Sequence, residues 1–464
     1  MSGGDNSLTA SPFVTNQEFQ SGCNSQDPKK RHLNVLFFGH VDAGKSTIGN
    51  HILSNKNEDD ENDEDDESVE GITNGFERVN FGRRKIGFKY LDAPGCRTCE
   101  VRRAYFETPT TRFTFLDAPG HISYVANMIS GASQADVGVL VISAREGEFE
   151  EGYEKGGQIP EHVQLAKAMG ITKLIVAVNK MDASTVNWSI KRFEEIEVKV
   201  TLLLKSAGYT VKQDVQFLPT SGVQGSNLLR RVSTNVCSWW SGVCLLEALD
   251  SVDFPPRDPE APFRLPLIDK FIDMGTVVMG KIESGSVTVG DTLMIMPNKV
   301  VVNVLGIYCD EDKVEHAGPG ENLRVRLSGI REEFISPGFV LCSVARPVPV
   351  VTSFVAQVQF LEIPNDVICT AGYKAILHVY SVVEDCEIVE LMKQIDLKTK
   401  KPLKKKVMYA KNGYLVLCRI EVRSLICIEK FTDFPQLGRF VLRSEGKTVA
   451  IGEVTEIPSR SISS

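Results

Sequence analysis

Short uninterrupted apolar runs, separated by longer stretches of helical periodicity, mark the first half of the chain. Leu33-Asn34-Val35-Leu36-Phe37-Phe38, Phe113-Thr114-Phe115-Leu116, Val137 to Ile142, Lys173 to Val178 and Val215 to Leu218 each have the length of a buried strand. Amphipathic segments such as Ile122 to Ser133 lie between them. From Arg31 to about Leu249 this alternation predicts an α/β domain, a mostly parallel sheet covered by helices on both faces. The stretch Asp253-Phe254-Pro255-Pro256-Arg257-Asp258-Pro259-Glu260-Ala261-Pro262 is too rich in proline for a helix, and residues 250–262 read as a linker.

Beyond the linker the pattern changes to short alternating runs such as Thr276 to Ile282, broken by turn signals at Glu283 to Ser286 and Pro297 to Lys299. Turn spacing of this kind predicts a small antiparallel β-barrel over residues 263–346. A second barrel is expected over 350–458, with strands at Phe354 to Phe360, Lys374 to Tyr380 and Leu415 to Val422. Neither barrel carries a catalytic constellation.

At 464 residues, 42% hydrophobic and 24% charged, the chain can bury about three well-formed cores. No apolar run approaches membrane-spanning length, and the first residues lack both a signal core and an Arg-rich amphipathic pattern, so a cytoplasmic protein without a membrane is expected. Eleven scattered cysteines fit a reducing compartment. Residues 1–30, rich in Ser, Asn, Gly and Gln, predict a disordered extension. The net charge of -8 misleads: Glu58 to Glu70 holds ten acidic residues and no basic one, and without it the balance is about +2. A neutral to slightly basic body is compatible with a ribosome-bound factor.

Three stretches carry chemistry. Gly39-His40-Val41-Asp42-Ala43-Gly44-Lys45-Ser46-Thr47 follows the first strand and has the spacing G-x-x-x-x-G-K-S. Its backbone N–H groups can wrap nucleotide phosphates, Lys45 can reach the terminal ones, and the Ser46 hydroxyl can bind Mg²⁺. Asp117-Ala118-Pro119-Gly120-His121 ends a second strand; there Asp117 can hold Mg²⁺ through water and the Gly120 N–H can meet the γ-phosphate. Asn179-Lys180-Met181-Asp182 ends a third. The Asp182 carboxylate can accept both guanine N1–H and N2–H₂, the Lys180 stem can lie over the base, and the loop Thr220-Ser221-Gly222-Val223 can offer a backbone N–H to guanine O6. Three such motifs at strand ends, in this order, predict a site for GTP and GDP.

At these residues the chain resembles the translational GTPases related to elongation factor one-alpha, and among them most closely the eukaryotic class II release factors, the plant type especially. Ala144 to Phe149, Glu154 to Gln158, Thr185 to Ser189, Asp433 to Phe440 and Ser444 to Ala450 carry the resemblance. It implies a GTPase that delivers a class I release factor to the ribosome at stop codons, monomeric apart from that complex. It implies that His121 positions the attacking water, chemistry that needs an oriented nucleophile and charge compensation more than a covalent group. The last barrel is implied to meet the partner through Gly438-Arg439-Phe440 and Gly446-Lys447-Thr448. The basic loop Lys398 to Lys406 reads as a solvated hairpin tip, with contact to ribosomal RNA as the alternative.

The resemblance lapses from Ser54 to Arg97, where the family carries its first switch, and resumes at Thr98, which would then be the Mg²⁺-binding threonine. Cys96-x-x-Cys99 has the spacing of half a zinc site but no second pair beside it. Two other functions stay open: a catalytically impaired paralogue that binds nucleotide and a partner, and a ribosome-rescue GTPase partnering Pelota.

Overall fold

The computed structural model describes residues 30–54, 78–81, 84–87, 101–154, 157–253, 257–273, 275–309, 312–363, 368–397, 399, 401–403 and 407–458. The N-terminal extension, the acidic run, Cys96, Thr98 and Cys99 lie outside these residues, as do several lysines of the basic loop.

In chain order the first domain contains β1 (Arg31–Phe38), α1 (Lys45–Ser54), β2 (Arg78–Phe81), β3 (Arg84–Gly87), β4 (Arg102–Glu107), β5 (Thr111–Asp117), α2 (Val125–Gln134), β6 (Val137–Ser143) and α3 (Glu148–Tyr153). It continues through α4 (Gln158–Ala168), β7 (Lys173–Asn179), α5 (Ile190–Ser206), α6 (Val211–Asp214), β8 (Val215–Pro219) and α7 (Leu245–Asp250). Six strands form one sheet in the order β4-β5-β1-β6-β7-β8; all pair in parallel except β4, an antiparallel edge strand on β5. The separate hairpin β2–β3 is antiparallel. Period-two alternation explains why β1 is central: Leu36 and Phe38 enter the core on one face, while Leu33, Val35 and Phe37 enter the core on the other.

β1 pairs with β5 on one side and β6 on the other, so the chain reverses direction of travel across the sheet at this strand. The loop after β1 therefore opens into the crevice at the carboxyl ends of the strands, the place where sheets of this type hold ligands.

The first barrel comprises β9 (Arg264–Ile272), β10 (Thr276–Lys281), β11 (Val287–Thr288), β12 (Thr292–Met296), β13 (Val300–Cys309), β14 (Asp312–Val314), β15 (His316–Ala317), β16 (Asn322–Ser328) and β17 (Val340–Ser343). Its sheet runs β12-β17-β9-β10-β16-β13-β14, and pairing of β12 with β13 closes a ring of six. The second barrel is closed in the order β18-β21-β20-β19-β22-β23. Its elements are β18 (Val350–Phe360), β19 (Tyr373–Val379), β20 (Val382–Ile395), β21 (Leu415–Cys427), α8 (Pro435–Gly438), β22 (Arg439–Ser444) and β23 (Lys447–Glu456). Each barrel has its own apolar core, and a smaller cluster including Met296, Val340, Val350 and Leu437 joins the two. No helix among the described residues is long and apolar enough to cross a membrane.

Polar contacts bind the three domains. Asp136, just before β6, accepts hydrogen bonds from the Asn34 amide and side chain at 2.8 and 2.9 Å. Its other oxygen pairs with Lys281 at 3.0 Å and Arg257 at 2.6 Å. Lys281 also meets Glu283 at 3.2 Å, and Glu283 accepts the Tyr380 hydroxyl proton at 2.9 Å, so the chain of contacts reaches the second barrel. The Lys281 and Arg257 charges beside it hold the Asp136 carboxyl well below the usual carboxylate range, against the opposing effect of burial.

Candidate functional site

The phosphate loop turns on two glycines with positive φ, Gly39 at 139° and Gly44 at 93°. A Cβ at Gly39 would stand 2.3 Å from the Val141 carbonyl oxygen, and one at Gly44 would stand 2.3 Å from the Asn179 side chain. Larger residues would push the loop off the neighbouring strand ends. Asp42 and Thr47 are exposed, Val41, His40 and Ser46 are half-buried, and Ala43 is buried under the loop.

Lys45, at the start of α1, is buried and its ammonium donates to the Gly39 and His40 carbonyl oxygens at 3.2 and 2.7 Å. Burial lowers its pKa to about 8, with Asp117 and Asp42 opposing the shift, so it stays mainly cationic at neutral pH. The Ser46 hydroxyl donates to Asp117 Oδ2 at 2.6 Å. Asp117 Oδ1 is buried with no hydrogen-bond partner among the described residues, and burial raises the Asp117 pKa. A hydroxyl and a carboxylate with an unsatisfied oxygen, beside an ammonium, fit a hard divalent cation shared with phosphate oxygens. Gly120 completes the cradle: a Cβ there would lie 2.6 Å from Lys45 Nζ and 3.0 Å from the Val41 amide. The site therefore assembles Gly39, Lys45, Ser46, Asp117 and Gly120 around one small space.

His121 follows on the rim, half-buried. Its Nδ1 accepts from the Ser123 amide at 3.2 Å, which leaves Nε2 as the nitrogen able to face a water, and its ring lies 6.0 Å from that of Tyr124. The short 3₁₀ turn Ile122–Tyr124 that leads into α2 sets this orientation.

Across the crevice, Asn179 is buried and does not point outward. Its Nδ2 donates to the Ala43 carbonyl at 2.8 Å and its Oδ1 accepts from the Gly222 amide at 2.8 Å, which stitches the phosphate loop to the β8 loop. The Ser221 amide donates to the Ser226 carbonyl at 3.1 Å. Two of the amides expected to meet a base are thus engaged within the protein, while the amide of exposed Val223 has no partner among the described residues. Lys180 takes a positive φ of 63°, and Glu148 Oε2 fixes its ammonium at 2.7 Å while accepting the Ser143 hydroxyl at 2.6 Å. Asp182, half-buried, keeps its carboxylate free of protein partners among the described residues.

Sequence reasoning missed Glu148 and His162. His162, on α4, is fully buried; burial, with Lys45 and His40 adding to it, lowers its pKa to about 3. A lone His in an amphipathic helix carries no signal that separates it from a surface residue. Glu148 falls in Ala144 to Phe149, and its contact to Lys180 depends on two loops meeting.

Most of the residues expected to form a partner surface on the second barrel are buried or half-buried within the chain. Phe440 is completely buried in the barrel core, edge-on to Phe354 with ring centres 5.7 Å apart. Gly438 is packed against the backbone of Phe431, and the Arg439 guanidinium lies over the Phe431 ring at 5.0 Å and against Gly170 of the first domain. The Thr448 hydroxyl donates to Glu161 on α4 at 2.8 Å. These residues are consumed by folding and by docking of the barrel on the first domain, and of the six only Gly446 and Lys447 are exposed.

Three family models match the chain in sequence. Residues 30–256 match the elongation factor Tu GTP binding domain, residues 275–342 match elongation factor Tu domain 2, and residues 353–455 match the GTP-eEF1A C-terminal domain-like family. The eukaryotic peptide chain release factor GTP-binding subunit of Zygosaccharomyces rouxii is 44% identical over 438 residues, covering 92% of this chain and 64% of that relative. That of Kluyveromyces lactis is 44% identical over 429 residues, covering 92% and 61%. The chain thus spans somewhat under two thirds of the length of these curated relatives. Among solved structures, the Ski7 GTPase-like domain of S. cerevisiae bound to GTP shares the fold with a TM-score of 0.68 at 18% identity, covering 92% of this chain and 97% of that one.

Proposed function

The chain belongs to the elongation factor Tu family of GTP-binding proteins, and from that premise we propose that it hydrolyses GTP on the ribosome as the GTP-binding partner of a class I peptide chain release factor. The observation that carries the reading is the convergence of Lys45, Ser46, Asp117 and Gly120 at the end of β1, tied through Asn179 to the loops that would select a base. The name shared by the relatives from Zygosaccharomyces rouxii and Kluyveromyces lactis supports the termination role over ribosome rescue.

Phosphates displace the Gly39 and His40 carbonyls from the Lys45 ammonium, and the loop amides close on the β-phosphate. Ser46 and Asp117 would hold Mg²⁺, which would supply positive charge to offset that on the phosphate oxygens. Asp182 accepts from guanine N1–H and N2–H₂, and the Val223 amide donates to O6. Adenine, with a donor at that position and no N2 amine, loses these bonds, a discrimination of several kcal/mol of the kind unpaired buried polar groups produce. His121 orients the water in line with the γ-phosphate once the ribosome orders the rim. Thr98 is the residue proposed to complete the metal shell, and the cytoplasm is the proposed location.

Ribosome-stimulated GTP turnover of the wild type beside His121→Ala tests the reading. Slow intrinsic turnover, strong stimulation of the wild type and a loss of about 10²-fold or more in the variant are expected, on the scale of removing a water-orienting group. Equal stimulated rates would remove His121 from the chemistry, and nucleotide binding without stimulation would mark an impaired paralogue. Capture assays against class I release factor, Pelota and aminoacyl-tRNA identify the partner.

A further inference from the structure

At the opposite end of β1 from the phosphate loop, roughly 20 Å away at strand rise, the first barrel docks against the sheet. Three side chains of different chemistry converge there. His32 is the second residue of β1, Cys309 the last of β13, and Glu321 immediately precedes β16. One imidazole nitrogen, the Cys309 Sγ and one Glu321 carboxylate oxygen all lie within 4.8 Å of one another. Cys309 is 2% exposed, and His32 and Glu321 are half-buried.

We propose that His32, Cys309 and Glu321 form a three-ligand site for a divalent metal ion of borderline softness, zinc being the ion that fits, which staples the first barrel to the root of β1. The donor set is what selects the ion. One N, one S and one O ligand suit Zn²⁺, whereas Mg²⁺ and Ca²⁺ demand oxygen throughout. Three protein ligands leave a fourth tetrahedral position for water. With metal–ligand bonds of about 2.0 to 2.3 Å, tetrahedral ligands stand about 3.3 to 3.7 Å apart, so the three atoms need to close by about 1 Å, within the reach of side-chain rotation.

The surrounding charge permits this. Arg112 donates from Nη1 to Cys309 Sγ at 3.4 Å, a contact that favours the thiolate, while its own Nε is paired with Glu107 at 2.5 Å. Arg257, which donates to the His32 carbonyl at 3.1 Å, is paired with Asp136 at 2.6 Å. Each of these two arginines thus also has a carboxylate partner outside the three-ligand cluster. On binding, the Cys309 thiol gives its proton to solvent and the sulfur pair forms the bond to the metal; no electron is transferred. This cluster lies apart from the phosphate loop and needs no guanine nucleotide to form.

The full chain, stripped with chelator and then saturated with Mg²⁺ and GDP to occupy the phosphate site, is titrated with Co²⁺ as spectroscopic probe and with Zn²⁺ against a chromophoric chelator. One equivalent is expected, with a near-ultraviolet thiolate-to-cobalt charge-transfer band. Cys309→Ser should abolish the band, and His32→Gln and Glu321→Gln should each weaken binding about 10-fold or more, while GDP affinity stays unchanged. Glu321→Gln preserves volume at a half-buried position and guards against variants that merely fail to fold. The band should survive in the Cys96→Ser/Cys99→Ser double variant. Absence of the band, its persistence in Cys309→Ser, or its loss in the double variant would each overturn the proposal.

Discussion

Gly44 shows how much a single methyl group decides. Its φ of 93° is costly for any side chain, and the space a Cβ would take is held by Asn179, whose amide carries the bridge between the phosphate loop and the β8 loop. Gly44→Ala should therefore weaken guanine nucleotide binding by about 10-fold or more, whereas alanine at Gly49 on α1, which has open space around its Cβ position and no positive φ, should leave affinity unchanged. Isothermal titration with GDP separates the two. Buried histidines set the acid response in the same residue-by-residue way. Burial lowers the pKa of His162 to about 3 and that of His378 to about 4. The unfolded chain takes up protons on these imidazoles from about pH 6.5 downward while the folded protein does not, so stability is full above that pH and falls as acid is added toward pH 4. Thermal melts at pH 7, 6 and 5 should show a falling midpoint, and His378→Gln should flatten the slope.

β22 illustrates how a strand expected to face a partner packs both of its faces within the chain. Its residues resemble a partner-binding segment, but alternation along the strand sends Phe440 and Leu442 into the barrel core and Val441 into the core of the first domain. Both faces are spent inside the chain. Phe440→Ala should cost about 3 to 5 kcal/mol in denaturant unfolding, the range for a fully buried aromatic. Lys447→Ala, at the exposed start of β23 with its nearest carboxylate 3.9 Å away, should change stability by less than about 0.5 kcal/mol. If the tip is still the contact to a class I release factor, Lys447→Ala alone should lower that affinity.

For the molecule as a unit, the polar chain from Asn34 through Asp136, Lys281 and Glu283 to Tyr380 links one strand of the sheet to both barrels. Lys281 is 2% exposed and stands between two carboxylates. Lys281→Met keeps the stem and removes the charge, leaving Asp136 and Glu283 buried without it, a loss of about 3 to 5 kcal/mol by the rule for broken buried pairs. The expected signature is lowered hydrogen-exchange protection across β9, β10 and β16 with the cores of the individual domains intact. Uniform loss of protection throughout would show that the three domains unfold together instead.

How far the sequence carries depends on the distance over which a contact acts. The strands, the turn glycines, the order of the three loop motifs and the two barrels follow from period, spacing and backbone stereochemistry, all of which are local and need no knowledge of what docks where. That Lys45, Ser46, Asp117 and Gly120 come together was legible because the proposed phosphate site calls for these residue types at strand ends. The inward turn of Asn179, the hold of Glu148 on Lys180, the burial of Phe440 and Thr448 and the meeting of Asp136 with Lys281 were settled by tertiary docking. Those contacts join segments far apart in the chain, and burial against a partner surface, which leaves no trace in local periodicity, is what assigns each of them its role.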